Sequence, residues 1–435
     1  MSASGRDPQE AEAERLGPAP PIAPTGLRRM LGLATLDYGP LRRRRDFRLL
    51  FIGQAVSLFG SEITFVALPY QAYHLTGSSL VVGLLGLAEL VPLLCAAFIG
   101  GALADAFDRR RMMQLTELSF AAASLVLVAN ALLPHPHVWV LFAVSVVQAT
   151  LSGLQRPSLD ALTPRLVERD ELMAAGALTS FRMTLGGIAG PALGGVLLAT
   201  VGLATTYTVD TATFIVSLVA LRMMRAVPPP PEAEPPSLGR IAEGVRYAGS
   251  RQDLMGTYIV DIVAMFFGMP MALFPEAATH LGGAGVLGLL YAAPATGSML
   301  ATVTSGWTAH VHRHGAAVCV AAAVWGAGIV VFGLAPGLGL ALAGLVLAGA
   351  ADMISGIFRT TIWNQTIPDH LRGRLAGIEQ VSYSTGPLLG NVESGVVASV
   401  ASLRASIVSG GVLCIAGVAI AALALPAFWR YDARE

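Results

Sequence analysis

The chain has 435 residues, of which 54% are hydrophobic and 13% charged, and its formal net charge is zero. A soluble domain carries roughly a quarter charged residues, so this composition points to a bilayer as the main solvent. The lack of a basic excess removes the electrostatic footprint that nucleic acid requires. All 28 basic residues are arginines, which excludes a G-x-x-x-x-G-K-[ST] phosphate loop and a Schiff-base lysine.

Residues 1–40 are polar and proline-rich without the order of a signal peptide, and are expected to form a disordered cytoplasmic tail. A bilayer core of roughly 30 Å needs about 20 apolar residues of helix. Such runs lie near Phe47–Tyr70, Leu80–Leu103, Met112–Leu133, Val138–Leu159, Ala174–Thr200 and Leu203–Met223. They resume near Leu254–Leu273, Gly285–Thr308, Ala316–Leu334, Leu338–Ile362, Leu375–Val400 and Ser406–Phe428, giving twelve spans. Arginine orients them. Alternate connectors hold Arg42–Arg45, Arg109–Arg111, Arg165 with Arg169, Arg222 through Arg251, Arg313, Arg372 with Arg374, and Arg430 with Arg434. The opposite connectors lack arginine, Arg404 excepted, so the positive-inside rule puts both termini in the cytoplasm of a cell (inner) membrane protein.

Between spans 6 and 7, "PPPPEAEPP" (Pro228–Pro236) reads as a stiff linker. In the stretch that follows, Leu238, Ile241, Val245 and Ala248 share one helical face while Arg240, Glu243 and Arg246 turn away, as in a helix lying on a membrane surface. The expected units are therefore a tail (1–40), a six-helix half (41–226), a linker (227–253) and a second six-helix half (254–431). The halves echo each other. "RPSLDALTPRLVERDELMAAG" after span 4 resembles "RTTIWNQTIPDHLRGRLAG" after span 10, and "GPALGG" (Gly190–Gly195) resembles "GPLLGN" (Gly386–Asn391). Both copies run in the same direction through the membrane, which makes a parallel repeat.

The connector "GALADAFDRRRMM" (Gly101–Met113) gathers two acids and three arginines between two apolar runs. It resembles the signature G-x-L-x-D-x-x-x-R-R-R of the major facilitator superfamily, matched by Gly101, Leu103, Asp105, Arg109, Arg110 and Arg111. Ala106 and Asp108 depart from that pattern. "GGIAGPALGG", with Gly186, Gly190, Pro191, Gly194 and Gly195, resembles the signature of the superfamily's exporting, proton-antiporting branches. Further stretches resemble the group that holds enterobactin-exporter-like (siderophore) and macrolide-efflux-like proteins. The arginine that many drug antiporters carry within helix 4 is absent from "FAVSVVQATLSG". The resemblance implies an all-α membrane protein of twelve helices in two pseudo-symmetric bundles, rocking about a central site.

Rocking needs contacts at the cytoplasmic ends that form in one state and break in the other. Asp105 is expected to accept from the amides opening span 11 near Leu375–Gly377, and Arg109 or Arg110 to pair with Asp160. Gly186, Gly190 and Gly194 recur every four residues and allow a close helix neighbour, while Pro191 removes a backbone hydrogen bond.

A charge at mid-span costs at least ~2.5–3.5 kcal/mol, so each one there needs a reason. Glu62 and Glu89 lead the candidates for proton or substrate binding, followed by Arg182 as counter-charge and by Asp210, Asp261 and Asp352. Glu379 and Glu393 are expected to face water near the two ends of span 11. Gln54, Ser57, Ser61 and Thr64 form a polar stripe along span 1. Cys95, Cys319 and Cys414 read as small apolar residues. "HVHRHG" (His310–Gly315 region) is only superficially metal-like, so no metal, cofactor or catalytic set is expected.

The expected function is secondary, proton-coupled export of small amphipathic molecules, drug-like or siderophore-like, by a monomer that meets only substrate, protons and lipid. An importer on the same fold is the alternative. A flippase or membrane enzyme finds less support, since H-E-x-x-H and G-x-S-x-G are missing.

Overall fold

The computed structural model describes residues 36–106, 108–226 and 246–434. Inside helices it leaves the side chains of 98, 101–106, 369, 370, 372–374, 376–378 and 380 undescribed. Most of the expected tail, the Pro228–Pro236 linker, the side chains of Gly101 and Asp105, and the predicted Asp105 contact near Leu375–Gly377 thus lie outside the described residues.

Among the described residues, twelve long helices follow one another: α1 (Arg45–Thr76), α2 (Ser79–Ala106), α3 (Arg109–Ala131), α4 (Val138–Leu162), α5 (Leu172–Thr200), α6 (Gly202–Met223), α7 (Gln252–Phe267), α8 (Ala284–Val303), α9 (His314–Leu334), α10 (Leu338–Thr366), α11 (Asp369–Val400) and α12 (Leu403–Ala424). No strand occurs among the described residues. Eleven of the helices are long and apolar enough to cross a membrane. The other, α11, has 32 residues but carries Asp369, Arg372, Arg374, Glu379 and Glu393, with Ser382, Thr385 and Asn391 among them.

Local chemistry sets the ends. Gly77, at φ 63°, closes α1 in a left-handed cap and donates its amide to Tyr73 O at 2.7 Å. Asp108 caps α3, its Oδ1 accepting from the amides of Arg110 (2.9 Å) and Arg111 (3.3 Å). Ser402 does the same for α12 through the Ala405 amide. A short helix over Gly39–Arg43 begins within the expected tail.

Two boundaries differ from the sequence reading. Span 7 is broken: α7 stops at Phe267, Gly268 to Pro270 leave the helix, and a short helix (Phe274–Leu281) completes the crossing. Pro270 lacks an amide proton, and the Trp325 ring packs against Gly268. Span 12 ends at Ala424 because Pro426 starts a separate turn of helix.

The pattern of burial is inverted relative to a soluble bundle. In α3, Leu115, Leu118 and Leu125 are exposed, whereas Thr116, Glu117, Ser124 and Asn130 are buried. Lipid takes the apolar face, and polar groups pair with one another inside.

The helices form one compact unit, Gly39–Glu435. Within the first six, α1 packs on α5 and α6, α2 on α4, and α3 on α4 and α6. The second six repeat this: α7 packs on α11 and α12, α8 on α10, and α9 on α10 and α12. The repeat extends to close approaches. Gly100 and Gly153 bring α2 against α4, as Gly297 and Gly349 bring α8 against α10. The two sets meet where α2 lies on α11 and α5 on α8. Of the expected surface helix, residues 246–249 are described as helical; Arg246 is exposed, but Ala248 is buried in a cluster with Trp363 and Leu371 rather than facing outward.

Candidate functional site

Between the two sets of helices lies a cavity of about 600 Å³. Its described wall comes mainly from α1, α2, α4 and α5, and the second half adds Met271, Ala272, Tyr291, Leu388 and Asn391. Along part of the cavity wall and on toward the membrane face that holds Ser79, the halves touch. Gly83 lies against the Asn391 carbonyl, and Gly86 against Leu388. A Cβ on Gly195 would approach Gly288 N to 2.7 Å. Phe65 and Tyr291 meet edge-on at 5.2 Å, and Ser79 Oγ donates to Glu276 at 2.5 Å. Asn391 also accepts the Ala272 amide at 3.1 Å, satisfying backbone that the break after α7 leaves free.

The α5 glycines therefore divide their labour. Gly186, Gly190 and Gly194 receive Leu58, Glu62 and Ile63 of α1, within one half. Pro191 and Gly195 face Gly288 of α8, across the halves. In α11, Gly386 and Gly390 lie on α7 within the second half, while Asn391 and Gly395 face α2 across it. The motif is thus a two-sided spacer.

The polar stripe of α1 lines the cavity at Gln54, Ser57, Ser61 and Thr64. Behind it sits a residue that the sequence reading missed. Glu117, fully buried in α3, accepts from Gln54 Nε2 (2.7 Å), Gln155 Nε2 (3.0 Å) and Ser57 Oγ (3.2 Å). A carboxylate only accepts, so it takes the NH₂ edge of both glutamines and fixes how two cavity-lining amides point. Asp210, also fully buried, accepts from Thr64 (2.6 Å) and Ser124 (2.7 Å) through Oδ2, while Oδ1 has no hydrogen-bond partner.

Among the predicted acids, Glu89 and Asp210 line the cavity, whereas Glu62 is directed to Gly190 and is not part of the wall. Helical phase explains this, since Ser61 occupies the cavity-facing position one residue earlier. Arg182 lines the cavity, is 7% exposed and places its Cζ over the Phe51 ring, 6.0 Å from the centroid. The carboxylate whose field reaches it is Asp160, not Glu62 or Glu89, and the two form no ion pair. Asp160 in turn feels Arg156 and Arg182 rather than the arginines of the α2–α3 connector.

Those arginines have other partners. Arg109 Nη1 donates to Ala161 O at 3.2 Å, and Arg110 donates to Leu221 O (2.9 Å) and Arg222 O (3.0 Å). Each cation sits on the carbonyls that end a helix, where the dipole favours positive charge. The expected pairing with Asp160 is replaced by this main-chain clamp.

In the second half, Asp261 pairs with Arg359, a residue absent from the predicted set, and Asp352 lies 3.6 Å from the same guanidinium. Ser382 donates to Asp261 at 3.1 Å, and the Tyr383 ring sits 5.3 Å from Arg359. Arg359 opens the second copy of the repeat as Arg156 opens the first. That equivalence was the available signal for both arginines. His314 is buried beside Phe358 and bonds to Val311 O, and among the described residues no group has the makings of a metal site.

A family model described as "transmembrane secretion effector" matches residues 35–434. The chain belongs to that family. It is similar to the enterobactin exporter EntS of Citrobacter koseri, at 30% identity over 386 residues that cover 88% of this chain and 92% of that one. It is likewise similar to EntS of Shigella boydii, at 29% identity over 391 residues with the same coverage. Among solved structures, the nucleoside transporter NupG superposes with TM-score 0.70 at 12% identity, covering 89% of this chain and 99% of that one. A bacterial homologue of the lysosomal transporter Spinster, solved inward-facing and unoccupied, gives 0.67 at 15%, covering 90% and 97%. The fold is that of the major facilitator transporters, and the chain is a multi-pass membrane transporter rather than an enzyme.

Proposed function

We propose that this transporter is a proton-coupled exporter of small amphipathic organic compounds, siderophore-like or drug-like, acting as a monomer in the inner membrane with both termini cytoplasmic. The two halves, 41–226 and 254–431, rock about the cavity. The observation that carries this reading is the cavity itself: a space of about 600 Å³ walled by both halves, with close α2–α11 and α5–α8 approaches toward the end that holds Ser79. With the arginine-bearing end in the cytoplasm, those approaches lie on the outer side of the membrane. The relatives' description as enterobactin exporters supports both direction and substrate class. Coupling falls to carboxyls in the spans: Glu89 and Asp210 at the cavity, and Asp261 with Asp352 around Arg359.

The test is a host lacking its own siderophore exporter. Expression of this chain should restore release of enterobactin into the medium and lower sensitivity to amphipathic drugs. Restored retention of an external nutrient, with no change in release, would favour an importer instead.

A further inference from the structure

Three charged groups gather on the cavity wall where α4 and α5 approach the arginine-bearing end. Arg156 and Asp160 stand one turn apart on α4, and Arg182 reaches in from α5. Arg156 and Asp160 are exposed, whereas Arg182 is 7% exposed and its Nε has no hydrogen-bond partner. Its Cζ lies over the Phe51 ring, 6.0 Å from the centroid. A cation–π contact of this kind takes one side of the guanidinium and leaves N–H donors for a planar oxyanion. Asp160 is the carboxylate whose field both arginines feel, without an ion pair to either, and it lies on an exposed part of the wall.

We propose that Arg182 and Arg156 form an oxyanion-binding subsite of the export cavity, for a carboxylate or ionised phenolic oxygen on an organic molecule, with Asp160 as an opposing charge on the same wall. The inference rests on the reading of this cavity as the substrate site. It names the chemical class of group that the site takes. Among the described residues no ion pair compensates the desolvated Arg182 guanidinium, and an oxyanion on the ligand would supply that compensation. Specificity follows the same way, because a cationic or neutral ligand has no charge to offer this guanidinium.

Two dyes on the same three-ring frame separate the outcomes. Fluorescein carries carboxylate and phenolate oxygens in mildly alkaline buffer, and rhodamine 6G is cationic. Fluorescence anisotropy of each against purified protein in detergent reads binding without requiring transport. Fluorescein should bind the wild-type chain more tightly than rhodamine 6G does. Arg182→Gln should weaken fluorescein roughly ten-fold or more and leave rhodamine 6G unchanged. Asp160→Asn should tighten fluorescein, and Arg182→Lys should recover only part of the loss, since an ammonium lacks the fork. Asp160 is exposed, so its variant remains informative even where Arg182→Gln fails to elute as a single species. Equal affinity for the two dyes, binding of neither, or fluorescein affinity indifferent to both substitutions would overturn the subsite. A chain that discriminates the dyes as stated yet releases no compound from cells would leave the subsite standing and remove the export reading.

Discussion

Replacing Gly288 or Gly195 by alanine should push the halves apart toward the end of the cavity that holds Ser79. A Cβ at Gly195 would meet Gly288 N at 2.7 Å, Gly288 Cα at 2.8 Å and Gly285 O at 3.1 Å. Heavy atoms pack comfortably at about 3.5 Å, so α5 and α8 must separate by roughly 0.7 Å. The atoms in the way are backbone, and no side chain can rotate aside. Overpacking of this kind costs about 1–3 kcal/mol. Levied on one conformer alone, that changes a two-state ratio roughly 5- to 150-fold. The assay is pulsed electron resonance between spin labels at His135 and Pro336, which lie in connectors of opposite halves, in a chain whose three cysteines are replaced. Wild-type protein should show mainly the short distance and Gly195→Ala a second, longer one. Gly176→Ala serves as control, having no atom within 4 Å of its new Cβ. A distance distribution unchanged in Gly195→Ala would refute the claim that these glycines hold that end together.

Gly190→Leu should behave differently from Gly195→Ala, because its new side chain collides with Glu62 of the same half; the expected result is a loss of thermal stability in detergent, not a shift in the label distances. Glu117→Ala strands the amide donors of Gln54 and Gln155 and should destabilise by about 1–3 kcal/mol, read as a lower melting temperature, whereas Glu117→Gln should lose less. Glu89→Gln should slow proton-driven efflux at least several-fold while Glu62→Gln retains more of the rate, since Glu89 and not Glu62 faces the cavity; the reverse order would return Glu62 to the mechanism. Arg359→Gln leaves Asp261 buried without its cation, and the expected outcome is poor folding that Asp261→Asn in the same chain partly repairs.

Hydropathy carried eleven of the spans because each helix must satisfy its backbone within hydrocarbon, while the polar α11 falls short of it. It failed where a span is interrupted: Gly268 and Pro270 were visible, but that the chain would continue across the membrane after them was set by packing on Trp325 and Asn391. The α5 glycine series announced close packing, and its spacing of four was right for one neighbour. That Gly195 and Pro191 serve a second neighbour, in the other half, depends on helix placement and not on spacing. Depth in the span, with the resemblance's placing of spans 1 and 2 at the cavity, ranks Glu62 with Glu89. Neither fixes rotation in detail, and one residue of helical phase separates a cavity-lining Ser61 from Glu62, whose stem rests on Gly190. Glu117 lies within two turns of the arginine-rich connector, and no neighbour in sequence marks it as a site residue. Its role appears only when Gln54, Ser57 and Gln155 converge on it from α1 and α4.

Central to the account is a cavity whose ligand is exchanged for protons across the membrane. Purified chain in liposomes, with an acid interior and a pH-sensitive dye inside, tests this directly once enterobactin is added outside. Outflow of protons that depends on the compound, and that Glu89→Gln slows, is the predicted result. Accumulation of enterobactin inside with no movement of protons would contradict it.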